Sequence, residues 1–198
     1  MSVKAELLEK PLPKPEKSLA GYAYARALEA LLKAILALEF LDRGYTRNAA
    51  GKAFQAWKAL VGALLVLEKD NLDRVLGREE EEKKWLLETG IPHVPTTKLK
   101  RLAQLLERVG HEGVSQATSM ALDLHDYQYY GPDPDMAMSK YTCREEAATD
   151  IPLLVKTVVR LVEEKIRPRL EEKQAWSKEH SQALQQLKQK LEYREQQG

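Results

Sequence analysis

The chain has 198 residues, 43% hydrophobic and 31% charged, with 31 basic and 30 acidic side chains and a formal net charge of +1. A chain of this length can bury a core without covalent staples, and so even a balance argues against wholesale wrapping of a polyanion. Cys143 is the only cysteine, which excludes an intrachain disulfide and a four-cysteine zinc site and leads us to expect a reduced, cytoplasmic protein.

No run of about 18 apolar residues occurs, and the first ten residues include Glu6 and Glu9, so neither a membrane span nor a signal peptide is predicted. Apolar residues recur at three- and four-residue spacing nearly throughout, and no alternating strand pattern is present. Residues 3–9 predict a short helix, after which Pro11, Pro13 and Pro15 impose an extended connector. Residues 18–43 are rich in Ala, Leu and Glu, and Leu28, Leu31, Leu32, Ile35 and Leu38 form a broad apolar face that Gly44 terminates.

A second helix is predicted from 46–48 to about 69, capped by Thr46 or Asn48, with Phe54, Trp57, Val61, Leu64 and Leu65 on its buried face. The short turn at Gly44 makes these two helices an antiparallel hairpin at the centre of the fold. Residues 72–88, with glutamates at 79–82, read as a solvated helix. Residues 90–95, with two prolines, read as a loop. Thr96 or Thr97 then caps a helix carrying Leu99, Leu102, Leu105 and Leu106, which Gly110 and Gly113 break before another helix over 114–129.

Residues 131–135, Gly-Pro-Asp-Pro-Asp, must turn. The next helix starts near Thr142, which has capping-box spacing to Glu145, with Asp150 before Pro152 as an alternative start. Leu153, Leu154, Val158, Leu161, Val162 and Ile166 form its stripe, up to a break at Pro168. Beyond lies a Gln-rich segment with Leu184, Leu187 and Leu191 as a thin seam. The expected fold is all-α: an up-and-down helical bundle over 18–167, preceded by a proline-rich arm (1–17) and followed by a polar helical extension (168–198).

Gly51-Lys52 is not a phosphate loop, because Thr46 stands where that loop needs glycine and Ala53 where it needs a hydroxyl. Lys58, next to Trp57, either snorkels outward or carries its charge to a carboxylate or anion in a cleft. Arg47, Asn48 and Lys52 add positive charge near the start of the same helix, where the dipole favours anions. His125 lies beside Asp126, Tyr129 and Tyr130, a setting that suits either proton transfer or a structural hydrogen bond, and the tyrosines suit stacking or plugging the bundle. The histidines at 93, 111, 125 and 180 show no metal-ligand spacing, so neither metal nor cofactor is expected. Cys143, near a helix start, is either a reactive thiol or a filler.

Residues 48–59 (Asn-Ala-Ala-Gly-Lys-Ala-Phe-Gln-Ala-Trp-Lys-Ala), with 41–45 upstream and Leu124-His125 before Tyr129 and Tyr130, resemble the archaeal PaREP family of the wider HEPN group over roughly residues 18–166. The resemblance implies an HEPN-like bundle, often dimeric, and proteins that act as ribonucleases or as partners of nucleotidyltransferases in toxin–antitoxin pairs. Nuclease members carry an arginine about four to six residues before a histidine. Here Arg108 precedes His111 by three positions and Arg101 by ten, so that motif is absent.

The leading expectation is a non-catalytic protein, a homodimer, binding a nucleotide, a nucleic acid or a protein partner through a cleft near Arg47, Asn48, Lys52, Lys58, His125, Tyr129 and Tyr130. The alternatives are a metal-independent ribonuclease, with His125 as base and Arg144 or Lys58 on the phosphate, and an oligomerisation module built on the tail.

Overall fold

The computed structural model describes residues 3–196; residues 1–2 and 197–198, the outer ends of the arm and tail, lie outside the described residues. Among the described residues all regular structure is helical. After the short α1 (Val3–Leu8), the proline segment is irregular over 11–14 and then turns at 15–17, with Lys17 N donating to Lys14 O at 3.0 Å, before Ser18, whose hydroxyl accepts from Gly21 N at 2.9 Å and caps α2 (Leu19–Asp42).

Gly44, at φ 80°, closes the turn into α3 (Thr46–Leu67), with Gly44 N donating to Leu41 O and Tyr45 N to Phe40 O, each at 2.9 Å. A side chain at that φ would be strained, which is why glycine stands there. The two helices are antiparallel and closely packed: a Cβ on Gly62 would lie 3.2 Å from Arg26 Nε. Tyr22, fully buried, donates to Ile91 O at 2.8 Å and accepts from Arg26 Nε at 2.9 Å.

By length and composition α3 could cross a membrane, but 78% of that apolar stretch is buried inside the bundle. It is the central helix, covered by α2, by α8 (Val114–Tyr130) and by α9 (Arg144–Leu161). Trp57 has no exposed surface, and its indole N–H donates to Thr118 Oγ1 at 2.9 Å, so the core includes a satisfied polar contact.

Several local expectations are corrected. Neither Thr46 nor Asn48 caps α3: Tyr45 is the N-cap and makes no side-chain cap bond, while Thr46 Oγ1 accepts from Arg144 Nε at 2.9 Å, a tertiary partner. The charged stretch forms α4 (Lys69–Leu76) and α5 (Glu80–Trp85), separated at Gly77. The expected loop at 90–95 is mostly helical: a widened turn at Leu86–Gly90 leads into α6 (Ile91–His93), because Pro92 stands in the first turn of that helix, where its missing N–H costs nothing. Thr96 begins a tight turn, Thr96–Lys98, and neither threonine caps α7 (Leu99–Arg108).

The capping contacts of α9 involve Glu146 rather than Glu145, its carboxylate accepting from Thr142 N at 2.7 Å and from the Thr142 hydroxyl at 3.0 Å. Leu153 is exposed, and Ile151, Val155 and Val159 join the stripe instead. Pro168 does not break the chain. A second widened turn, Val162–Ile166, passes into α10 (Arg167–Glu172), where proline fits the first turn, and the true break comes at 173–177.

The last helix, α11 (Lys178–Glu195), lies against α2 and α9 and buries Leu184, Leu187 and Leu191, each worth about 2 kcal/mol. His180 locks it in place: Nδ1 meets the Ser177 hydroxyl at 3.0 Å and Nε2 meets Tyr24 O at 3.0 Å. Burial pushes this imidazole below its ordinary range, outweighing the Tyr24 carbonyl and Glu179, so it is held neutral.

Candidate functional site: a cationic groove between α2 and α3

Asn48, Lys52, Gln55 and Lys58 recur at four- and three-residue steps, so they share the one strip of α3 that its neighbours leave uncovered. The facing strip of α2 carries Glu29, Lys33 and Phe40. Where these meet α8, Phe40, Arg47, Asn48, Lys52, Gln55 and Gln128 bound an open depression of about 420 Å³.

The lysines of α3 contact neutral partners. Lys52 Nζ lies 3.4 Å from Gln55 Oε1, and Lys58 Nζ lies 3.3 Å from Thr96 Oγ1 and over the Phe54 ring, 5.8 Å from its centre. Among the described residues neither makes an ion pair. Burial pushes Lys52 below the ordinary lysine range, and Lys33 adds repulsion. Burial does the same to Lys58, with Arg26 and Lys33 adding to it and Glu29 opposing. Glu29 is engaged elsewhere: it holds Arg26 at 2.9 Å and Lys33 at 2.6 Å, and these contacts outweigh its burial and keep it ionised.

His125 stacks on Phe54 at 4.1 Å between ring centres and meets the edge of Tyr129 at 5.2 Å. Burial lowers its pKa, Lys58 lowers it further and Asp126 opposes, so the ring is neutral near pH 7. Gln128 Nε2 lies 3.4 Å from His125 Nδ1; with the amide as donor, the ring proton is on Nε2. Gly51 lies beneath that same amide.

The structure thus brings Asn48, Lys52, Lys58 and His125 to one helix face and its α8 flank. Arg47 lies at the rim but is committed: Nε donates to Gln128 O at 3.0 Å and Nη2 to Tyr129 O, which satisfies carbonyls at the end of α8. Tyr129 and Tyr130 are largely exposed. Arg144 is apart, bound to Thr46 at the α2–α3 turn, and the charges that reach His125 are those of Asp126 and Lys58. Cys143 is the half-buried N-cap of α9. Among the described residues no group of three His, Cys, Asp or Glu side chains could hold a metal ion.

Sequence reasoning missed Lys33, Glu29, Gln55 and Gln128. Glu29 and Lys33 at i, i+4 look like any solvated helix pair, and nothing local shows that they face the lysines of the next helix. It also missed a buried cluster elsewhere. Glu68, 2% exposed, accepts from His111 Nε2 at 2.8 Å and Asn71 Nδ2 at 2.6 Å and pairs with Arg169.

The model of the archaeal PaREP1/PaREP8 family matches residues 25–152, about two thirds of the chain, and the chain belongs to that family. No curated protein and no solved structure matches it.

Proposed function

We propose that this PaREP1/PaREP8-family chain is a non-catalytic binding protein that takes a nucleotide in the groove between α2 and α3. The observation that carries this reading is the condition of Lys52 and Lys58, two half-buried ammoniums with only neutral contacts and repelled by Lys33. Glu29 is the carboxylate on the facing strip, and it is held by Arg26 and Lys33, so the charge of Lys52 and Lys58 in a partly dehydrated groove is stabilised further by a bound anion such as a phosphate. Phe40 gives the depression beside Lys52 a half-buried ring against which a base can lie, and Gln128, whose amide meets His125, adds a polar wall.

The test is calorimetry of the full chain with a panel of nucleoside mono-, di- and triphosphates at low and high salt. Binding is expected to weaken with salt and to fall about tenfold or more in Lys52→Met and Lys58→Met. No saturable binding, or equal affinity in both variants, sinks the reading.

A further inference from the structure

On α2, bordering the lysine strip at Glu29, a second cavity of about 300 Å³ lies beneath the N-terminal arm. Its roof is Leu7, Leu8 and Leu12 with the rings of Pro11 and Pro13, and its floor includes Leu28 and Leu32 of α2. The volume is at the lower end of the range for small-molecule pockets, and the lining is mostly hydrocarbon, as such pockets require. The prolines matter twice: they fix φ along the roof, and they present no backbone N–H to the space beneath.

The few polar groups are informative because most are already satisfied. Glu29 reaches the wall, but its carboxylate is held by Arg26 and Lys33, so it offers its stem rather than a vacancy for a cation. The Tyr24 hydroxyl is directed to Ser177 Oγ at 3.4 Å. Lys10 is different. It is exposed at the cavity wall, in the arm itself, and makes no ion pair among the described residues, its charge being felt only at longer range by Glu179 of α11. A molecule matching this distribution has an apolar body for the interior and one anionic end for Lys10, and the space between α2 and the end of α1 with the proline segment after it suits a narrow chain rather than a fused-ring body.

We infer that the cavity under the arm is a binding site for a medium-chain fatty acid, the hydrocarbon lying between the arm leucines and α2 and the carboxylate at Lys10. This site shares only Glu29 with the nucleotide groove, and the inference does not depend on that groove.

Titration of the full chain with decanoate, octanoate and decanol tests the assignment. Decanoate is expected to saturate at one per chain, and loss of each buried methylene to weaken binding roughly fourfold. Lys10→Glu is expected to weaken decanoate about fivefold and leave decanol unchanged. Ala25→Trp, which fills the cavity from α2, is expected to abolish binding of both with the helical melting transition retained. If that variant does not fold, Leu8→Asp, which removes the roof from the solvent side, carries the same expectation. Absence of saturable binding, indifference of decanoate to Lys10→Glu, or unchanged affinity in the cavity variant overturns the site.

Discussion

Gln128 of α8 fills the space that a side chain at Gly51 of α3 would need: a Cβ on Gly51 would overlap the Gln128 side-chain oxygen. A glycine inside a helix is ordinarily a weakness of about 1 kcal/mol relative to alanine. Here it makes room for the amide that meets His125 Nδ1. Gly51→Ala is therefore expected to leave stability within about 1 kcal/mol of the parent, because better helix propensity offsets the displacement of a flexible side-chain tip. His125 is expected to lose its fixed tautomer. Imidazole ¹⁵N shifts, followed alongside a thermal melt, separate the two effects; an unchanged tautomer would refute the contact.

Lys58 sets stability against binding. Burial and two neighbouring cations act on it, so Lys58→Met is expected to stabilise the ligand-free chain by about 0.5 kcal/mol, a small value because the group is half-exposed. Urea denaturation of the unliganded proteins checks this. A loss of stability instead would mean that the contact with Thr96 outweighs the repulsion.

Trp57 and Thr118 form an isolated buried hydrogen bond. Thr118→Val is expected to cost about 2 kcal/mol, because it strands the indole N–H, and Thr118→Val in a Trp57→Phe background to cost much less, because no donor is left unpaired. A double-mutant cycle by chemical denaturation measures the coupling.

The cluster at Glu68 makes stability depend on pH. Burial pushes His111 below its ordinary value of about 6.5, with Lys165 and Arg169 adding to the effect and Glu68 opposing it, so the folded protein prefers the neutral ring. Glu68 is held below the ordinary carboxylate range, the hydrogen bonds from Asn71, His111 and Arg169 outweighing its burial. Both signs agree. For a folded pKa below the unfolded one, the contribution is complete above the unfolded value and lost as pH falls through the folded one. His180 and His125 have the same sign as His111. Stability is expected to hold above about pH 6.5 and to decline below it, first through the histidines and then through Glu68. His111→Gln is expected to flatten the decline between pH 6.5 and 5, measured by denaturation at fixed ionic strength.

His180 is the pin of the C-terminal helix. His180→Ala removes a buried ring and its bonds to Tyr24 and Ser177, and is expected to cost about 2 kcal/mol. The loss should concentrate in α11, seen as faster amide exchange over 178–195 with α3 unchanged; uniform acceleration would contradict a local pin.

The sequence by itself determined the helical class, the hairpin at Gly44 and the family, because these rest on local and periodic signals. The spacing of Leu28, Leu31, Ile35 and Leu38 and the one residue type that accepts φ 80° are readable without knowing what packs on what. It misjudged Pro92 and Pro168, since proline disfavours a helix interior but not a first turn, and Pro152 is tolerated even inside α9; whether the chain stays helical depends on what the neighbouring turns bury. Only the tertiary structure decided which charges face one another. Lys33 is assigned to the groove because α2 and α3 run antiparallel with their uncovered strips together, and Arg47 and Arg144 are drawn into structural bonds by Gln128, Tyr129 and Thr46. Lys33 and Lys52 belong to different helices, and the hydrogen-bond partners of Arg47 and Arg144 lie about 80 or more residues away, so neither relationship leaves a trace in local spacing. An uncompensated lysine and a capped one therefore look alike until the helices are packed.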